Sequence, residues 1–198
     1  KLEFYIELFK IIDEKLKDGY FDELKTPNIP VNNFRDYVII GLRVNKTEWV
    51  KKFIKEYSVY LPVQYRQDDI NLANGLIALE ENMFEEAIAV LSKVKKKNYI
   101  HYLDSSFNML RAYYKLNLFY DAFKEIDKIK EYFSRNKNIP SKINKSNITL
   151  LKEFKMLLKY SEKKSEYEDL YLYCKSVNFK MKSNWLTGEV KKIFNVEI

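Results

Sequence analysis

The sequence predicts an all-α fold, an α-α superhelix built as a right-handed array of antiparallel helix pairs. Three observations predict it. Trp49, Phe84 and Phe119 recur 35 residues apart, and each opens an apolar pattern of helical period. Val50, Phe53, Ile54 and Tyr57 follow the first, Ala87, Ile88, Leu91 and Val94 the second, and Ala122, Phe123, Ile126 and Ile129 the third. A period in the mid-thirties marks stacked helix pairs, none of which can bury its apolar face alone. Only 4 Gly and 4 Pro occur in 198 residues, too few for the tight turns of an all-β chain. A hydrophobic content of 46% and an aromatic share of 16% supply a core for a chain of this length and argue against disorder.

Taken in order, residues 1–18 read as a helix with Phe4, Ile6, Leu8, Phe9, Ile12 and Leu16 on its apolar stripe and Gly19 as a C-terminal cap. Lys25–Asn33 carries Pro27 and Pro30 and reads as a loop, so residues 1–32 form an N-terminal helix and loop. A first helix pair spans 33–62, with Thr47 as the N-cap of its second helix and Pro62 ending it. A second spans 66–97 with helices at 67–81 and 83–96, and a third spans 99–135 with helices at 100–116 and 118–134. Asn45, Asn82 and Asn117 each follow the first helix of a pair, where a tight turn needs a left-handed residue. The polar stretch 136–147, with Pro140, reads as a loop. Helical pattern resumes at 148–161, and Tyr167 opens a further helix with Leu170, Tyr171, Cys174 and Val177, giving a fourth, less regular unit over 148–178. Ser183 or Asn184 caps a final helix, 183–194, whose Lys191 and Lys192 suit the polar face of a terminal cap.

Composition narrows function by exclusion. Cys174 is the only cysteine, so no internal disulfide forms, and His101 is the only histidine, so no zinc cluster is predicted. No cofactor or metal site is expected. No apolar run approaches the roughly 18–20 residues that span a bilayer, and a cytoplasmic location is expected. Glycine-rich phosphate loops, GxSxG and HExxH are absent. The adjacent carboxylates at Asp68–Asp69, Glu80–Glu81 and Glu85–Glu86 point about 100° apart on a helix and do not converge. Asp68 and Asp69 read as first-turn partners of a helix dipole, and Cys174 as a buried thiol. The chain is therefore not expected to be an enzyme.

The helix pairs resemble tetratricopeptide repeats, most closely in LANGLIALEENMFEEAIAVL (72–91). Gly75 matches the small residue of helix A, and Phe84 and Ala87 match the aromatic and small residues of helix B. Tyr113, Phe119 and Ala122 match in the third unit, where Leu110 replaces the Gly. Trp49 matches in the first, where Lys52 stands for the Ala. The third unit and the residues after it are also similar to the helical C-terminal part of large uncharacterised bacterial proteins. That likeness implies a piece of a longer chain.

The resemblance implies a groove lined by helix A residues that takes an extended peptide. The lining positions are Phe34, Tyr37 and Asn45, then Asp69, Leu72, Leu76 and Glu80, then Asp104, Phe107, Arg111, Tyr114 and Lys115. Of these, Tyr37, Asp69, Leu72, Leu76, Phe107, Arg111, Tyr114 and Lys115 are the expected partner-binding residues, since aromatics and Arg dominate interface hot spots. The carboxylate clamp of the chaperone-binding members is not matched. Tyr37, Gly41, Ala73, Asp104 and Asn108 stand at its positions, so acidic chaperone tails are not expected partners. The expectation is a scaffold module binding a protein or peptide. The alternatives are architectural support for a missing N-terminal domain, or a basic module for nucleic acid or another polyanion. The last rests on the net charge of +7, of which residues 136–198 carry +6. Lysine clusters at 93–97 and at 155, 159, 163 and 164 supply candidate contacts.

Overall fold

The computed structural model describes residues 2–19, 29–95, 99–163 and 166–196. Residues 25–28 of the expected loop at 25–33, and Lys96, Lys97 and Lys164 of the lysine clusters, lie outside the described residues, while Val31, Asn32 and Asn33 begin a helix directly after Pro30 and are not loop. Among the described residues the chain is all-α, with ten α-helices, one short 3-10 turn and no strand. The helices are α1 (Leu2–Lys17), α2 (Val31–Arg43), α3 (Thr47–Tyr57), α4 (Val63–Glu80), α5 (Phe84–Leu91), α6 (Tyr99–Lys115), α7 (Phe119–Arg135), α8 (Ser141–Lys163), α9 (Tyr167–Ser176) and α10 (Asn184–Phe194). None is long and apolar enough to cross a membrane. The chain divides into two compact units, Lys1–Ala112 and Tyr113–Ile198.

One turn recurs between paired helices. Asn45, Asn82 and Asn117 all lie in the left-handed region, at φ 57°, 60° and 57°. The following amide reaches back five residues each time, Lys46 to Gly41, Met83 to Ala78 and Leu118 to Tyr113, at 2.8–2.9 Å. This is a Schellman closure, and Asn is the non-glycine residue that tolerates it best. Lys46, Met83 and Leu118 are at once the last residue of the turn and the N-cap of the next helix. Thr47 is therefore the first residue of α3, and no side-chain cap is made there. The turns lie 37 and 35 residues apart, so Trp49 stands two positions later in α3 than Phe84 and Phe119 do in α5 and α7. Val50, not Lys52, thus holds the place of Ala87 and Ala122, and all three are fully buried. Gly41 makes room for the larger side chain: a Cβ there would stand 2.5 Å from Val50 Cγ2.

In the first unit α4 packs against α2, α3 and α5 and is buried on nearly every side from Asp68 to Leu79. Gly75 permits this, because a Cβ there would lie 2.4 Å from the buried Leu91 of α5. Phe34, Val38, Val50 and Phe53 fill the space between α2 and α3. On α3, Trp49, Phe53 and Tyr57 stack at four-residue spacing, 5.3 Å between successive rings. Trp49 Nε1 donates to Asp13 of α1 at 2.8 Å. Helix α4 starts at Val63, directly after Pro62, four residues before the start read from the pattern. Asp68 and Asp69 consequently lie in its second turn as buried residues and are not first-turn dipole partners.

In the second unit Leu151, Phe154, Leu157 and Leu158 of α8 form the core against α7, α9 and α10. The stretch expected to be a loop at 136–147 is helical from Ser141. Pro140 supplies the start, its carbonyl accepting from Asn144, while buried Ile139 and half-buried Ile143 anchor a turn otherwise made of Ser, Lys and Asn. Glu153 is buried and accepts from Tyr173 Oη at 3.0 Å and the Lys182 amide at 2.7 Å, tying α8 to α9 and to the segment before α10. Ser183 is the cap of α10, accepting from the Leu186 amide. Cys174 is fully buried, and burial with Glu153 nearby pushes its thiol up to about 11.

Candidate functional site

Asp104, Phe107, Asn108 and Arg111 recur at intervals of three and four and share one stripe of α6. Arg35 of α2, 69 residues away, donates through Nε to Asp104 and also pairs with Asp36 at 2.7 Å. Asn108 donates to the Asp104 carbonyl at 2.8 Å, and Arg111 donates to Asn108 Oδ1 at 2.8 Å. Glu80, at the end of α4, stands 3.8 Å from Arg111. The stripe is thus held by α2 at one end and α4 at the other. Its side chains remain partly open to solvent: Arg35, Asp104 and Arg111 are each about a quarter exposed, and Phe107 is half-buried.

Beneath the stripe lies a polar centre. His101 Nε2 is 3.3 Å from Asp69 Oδ1, with both side chains shut away from solvent. The geometry does not align them for a hydrogen bond, and neither Asp69 oxygen meets a donor from the described chain. Asp68 differs, because its Oδ1 accepts from the Lys95 amide. Burial, with Asp68 beside it, pushes the Asp69 carboxyl up to about 7. Burial likewise lowers His101, aided by Arg35 and opposed by Asp104 and Asp68. The void lined by Phe34, Val38, Asp69, Leu72 and Leu76 is too tight for water.

The eight residues expected to meet a partner divide four ways. Phe107 and Arg111 lie together on the α6 stripe. Asp69, Leu72 and Leu76 are buried in α4 and line the tight void, so they support the face from below and do not form its surface. Tyr37 is half-buried on the edge of α2 away from Arg35, 5.8 Å from the Phe53 ring. Tyr114 and Lys115 belong to the second unit and hold its final helix. Tyr114 meets Trp185 edge-on at 5.4 Å, and Lys115 pairs with Glu189 at 2.9 Å. Arg35 and Asn108 stand outside the expected eight, although they fix the stripe. The local sequence carries no signal for Arg35, whose partner Asp104 lies 69 residues away, whereas Asn108 stands one turn after Asp104.

The fold and this face define a class only, an all-α chain of helical hairpins with a mixed polar and aromatic face. No family model, no curated protein and no solved structure matches the chain.

Proposed function

We propose that this chain is a non-catalytic interaction module, a tetratricopeptide-like helical array that takes a protein or peptide segment on the helix A face of its first unit. The observation carrying the proposal is the α6 stripe, where Phe107 and Arg111 stand one turn apart on a surface braced by Arg35–Asp104 and Glu80. A braced aromatic and Arg pair loses little side-chain freedom on binding, which is the property of a hot spot. The recurring hairpin turn supports the repeat reading. The matching ligand offers an apolar side chain for Phe107 and a carboxylate for Arg111.

A random-peptide library selected on the purified chain tests this. An enriched consensus pairing an apolar with an acidic residue is expected, with binding lost in Phe107→Ala/Arg111→Glu of unchanged helix content. No enrichment, or a consensus that binds the variant equally, overturns it.

A further inference from the structure

The net charge of +7 is not spread over the molecule. Residues 1–112 carry 17 basic and 17 acidic side chains, whereas residues 113–198 carry 18 and 11. The first unit is neutral by formal count and the second holds the entire excess. Within the second unit the charge is ordered. Lys142, Lys145, Lys152, Lys155, Lys159 and Lys163 all lie on α8. At 100° per residue they fall within an arc of roughly 140°, and at 1.5 Å per residue they extend about 32 Å along the helix. The opposite side of α8 is the core-facing row of Leu151, Phe154, Leu157 and Leu158, so the lysine face is the outward one.

Five of the six are exposed, and Lys159 is half-exposed. Only Lys159 makes an ion pair, to Glu166 at 2.9 Å. Lys152 stands over the Tyr173 ring at 5.1 Å, while no described carboxylate lies within ion-pair distance of Lys142, Lys145, Lys152, Lys155 or Lys163. Elsewhere on the surface pairing is common, as at Lys10–Glu7, Lys51–Glu81, Lys128–Glu125 and Lys130–Asp127. Helices usually lace exposed lysines with acids three or four residues away. On α8 the only exposed acid is Glu162. From Lys142 to Lys155 the row carries no ion pair to a described carboxylate, and the acids that face it come from beyond α8, where Glu166 and Asp169 line one hollow with Lys152, Lys155 and Lys159.

We infer that the lysine face of α8 is a docking surface for the phosphodiester backbone of nucleic acid, read without regard to base sequence. A straight row of cations about as long as one turn of duplex matches a linear polyanion that carries one charge per roughly 1.7 Å. Arg, Asn and Gln read base edges in pairs of hydrogen bonds. Helix α8 has no Arg or Gln, and its half-buried Asn144 and Asn147 fall outside the lysine arc, so the row has no means of base selection. Stacking on single strands is also unprovided for. Tyr173 has its hydroxyl tied to Glu153 and Lys152 over its ring, and Tyr160, at the edge of the lysine arc, is half-buried against the Tyr167 ring. An anionic membrane is the weaker fit, because the apolar side of α8 that would enter lipid is spent on the core and Ile148 is the one exposed large apolar residue on the lysine side. This surface is separate from the α6 stripe and stands whether or not that stripe binds a peptide.

The test is fluorescence anisotropy of a labelled mixed-sequence 20-base-pair duplex titrated with the full chain between 50 and 200 mM salt. Five phosphate contacts at about 0.9 counterion each give a log–log slope near −4.5, so affinity should fall about 500-fold over that range. Lys145→Gln/Lys152→Gln/Lys155→Gln should flatten the slope to about −2 and weaken binding at least tenfold at 50 mM. Arginine at the same three positions should restore both. Lys46→Gln/Lys55→Gln, exposed lysines of the first unit, should change neither. Absence of binding at 50 mM, binding indifferent to the α8 glutamines, or a response to phosphatidylserine vesicles in place of the duplex each overturns the assignment.

Discussion

Asp69→Asn should make the protein more stable, by an amount that grows above about pH 4 and is complete above about pH 7. In the native chain the Asp69 carboxyl keeps its proton up to about pH 7, whereas an unfolded aspartate loses it near 3.8. Between those values the unfolded state binds fewer protons, so stability falls as pH rises, and above pH 7 the whole cost is present. Over that interval, 1.36 kcal/mol per pH unit gives a ceiling of roughly 4 kcal/mol. His101 acts in the opposite sense. Its burial lowers the imidazole, so an unfolded histidine takes up a proton below 6.5 that the native one resists, and stability falls on acidification. Asparagine keeps the shape of Asp69, removes the buried charge and can donate to His101 Nε2, 3.3 Å from the present oxygen. Thermal and urea unfolding by circular dichroism should show the variant ahead by several kcal/mol at pH 8, on the order of 10 °C in Tm. The two curves should converge by pH 4. A variant no more stable at pH 8, or one whose advantage persists unchanged at pH 4, would rule out the buried carboxylate as a source of instability.

Other substitutions probe the rest of the frame. Gly75→Ala should lose about 1–2 kcal/mol, because the new methyl meets fully buried Leu91 at 2.4 Å. Gly188→Ala, with nothing within 4 Å of the added carbon, should gain up to about 1 kcal/mol, and denaturant midpoints decide both. Glu153→Ala should cost about 3 kcal/mol by stranding the Lys182 amide and the Tyr173 hydroxyl, whereas Glu153→Gln keeps an acceptor oxygen and should cost much less. Calorimetry of the two variants side by side separates the lost acceptor from the lost charge. Asn82→Val should cost more than Asn82→Gly by over ~1 kcal/mol in urea unfolding, since the left-handed turn excludes a β-branched residue.

The hairpins are legible in the sequence because their turns carry a chemical mark. An Asn at the end of an apolar row is a local signal, and all three positions adopt the left-handed conformation. The start of α8 is not legible, because Ser141–Asn147 has no repeating apolar pattern and depends on Pro140 and on Ile139 packing from outside the helix. The start of α4 is hidden for a related reason: Val63–Arg66 extends a helix whose stability comes from burial of its later turns. Aromatic spacing misleads by two residues at Trp49, since a bulky ring reaches a core from more than one position while a turn does not. The candidate face is half legible. Phe107 and Arg111 stand one turn apart on α6, as their spacing in the sequence implies. Tyr114 and Lys115 follow on the same stripe, yet Trp185 and Glu189, 70 or more residues later, determine what they touch. Nothing in the local sequence encodes that meeting.

Helical hairpins of almost equal length present a folding chain with a problem of identity. Their apolar faces bond without direction, so one hairpin can settle where its neighbour belongs, or in the same place on another molecule. The polar centre of the first unit removes that ambiguity. Arg35 finds a carboxylate only when α2 lies beside Asp104, and Asp69 escapes a bare hydrocarbon setting only when α4 lies beside His101. Any exchanged arrangement sets an arginine or a carboxylate against leucine. The centre therefore lowers the stability of the correct order and lowers that of every wrong order further, which is the condition for a single outcome. A chain with these four residues made apolar should melt later than the natural one, and on refolding from urea it should yield swapped dimers, visible by size-exclusion chromatography, that the natural chain does not form.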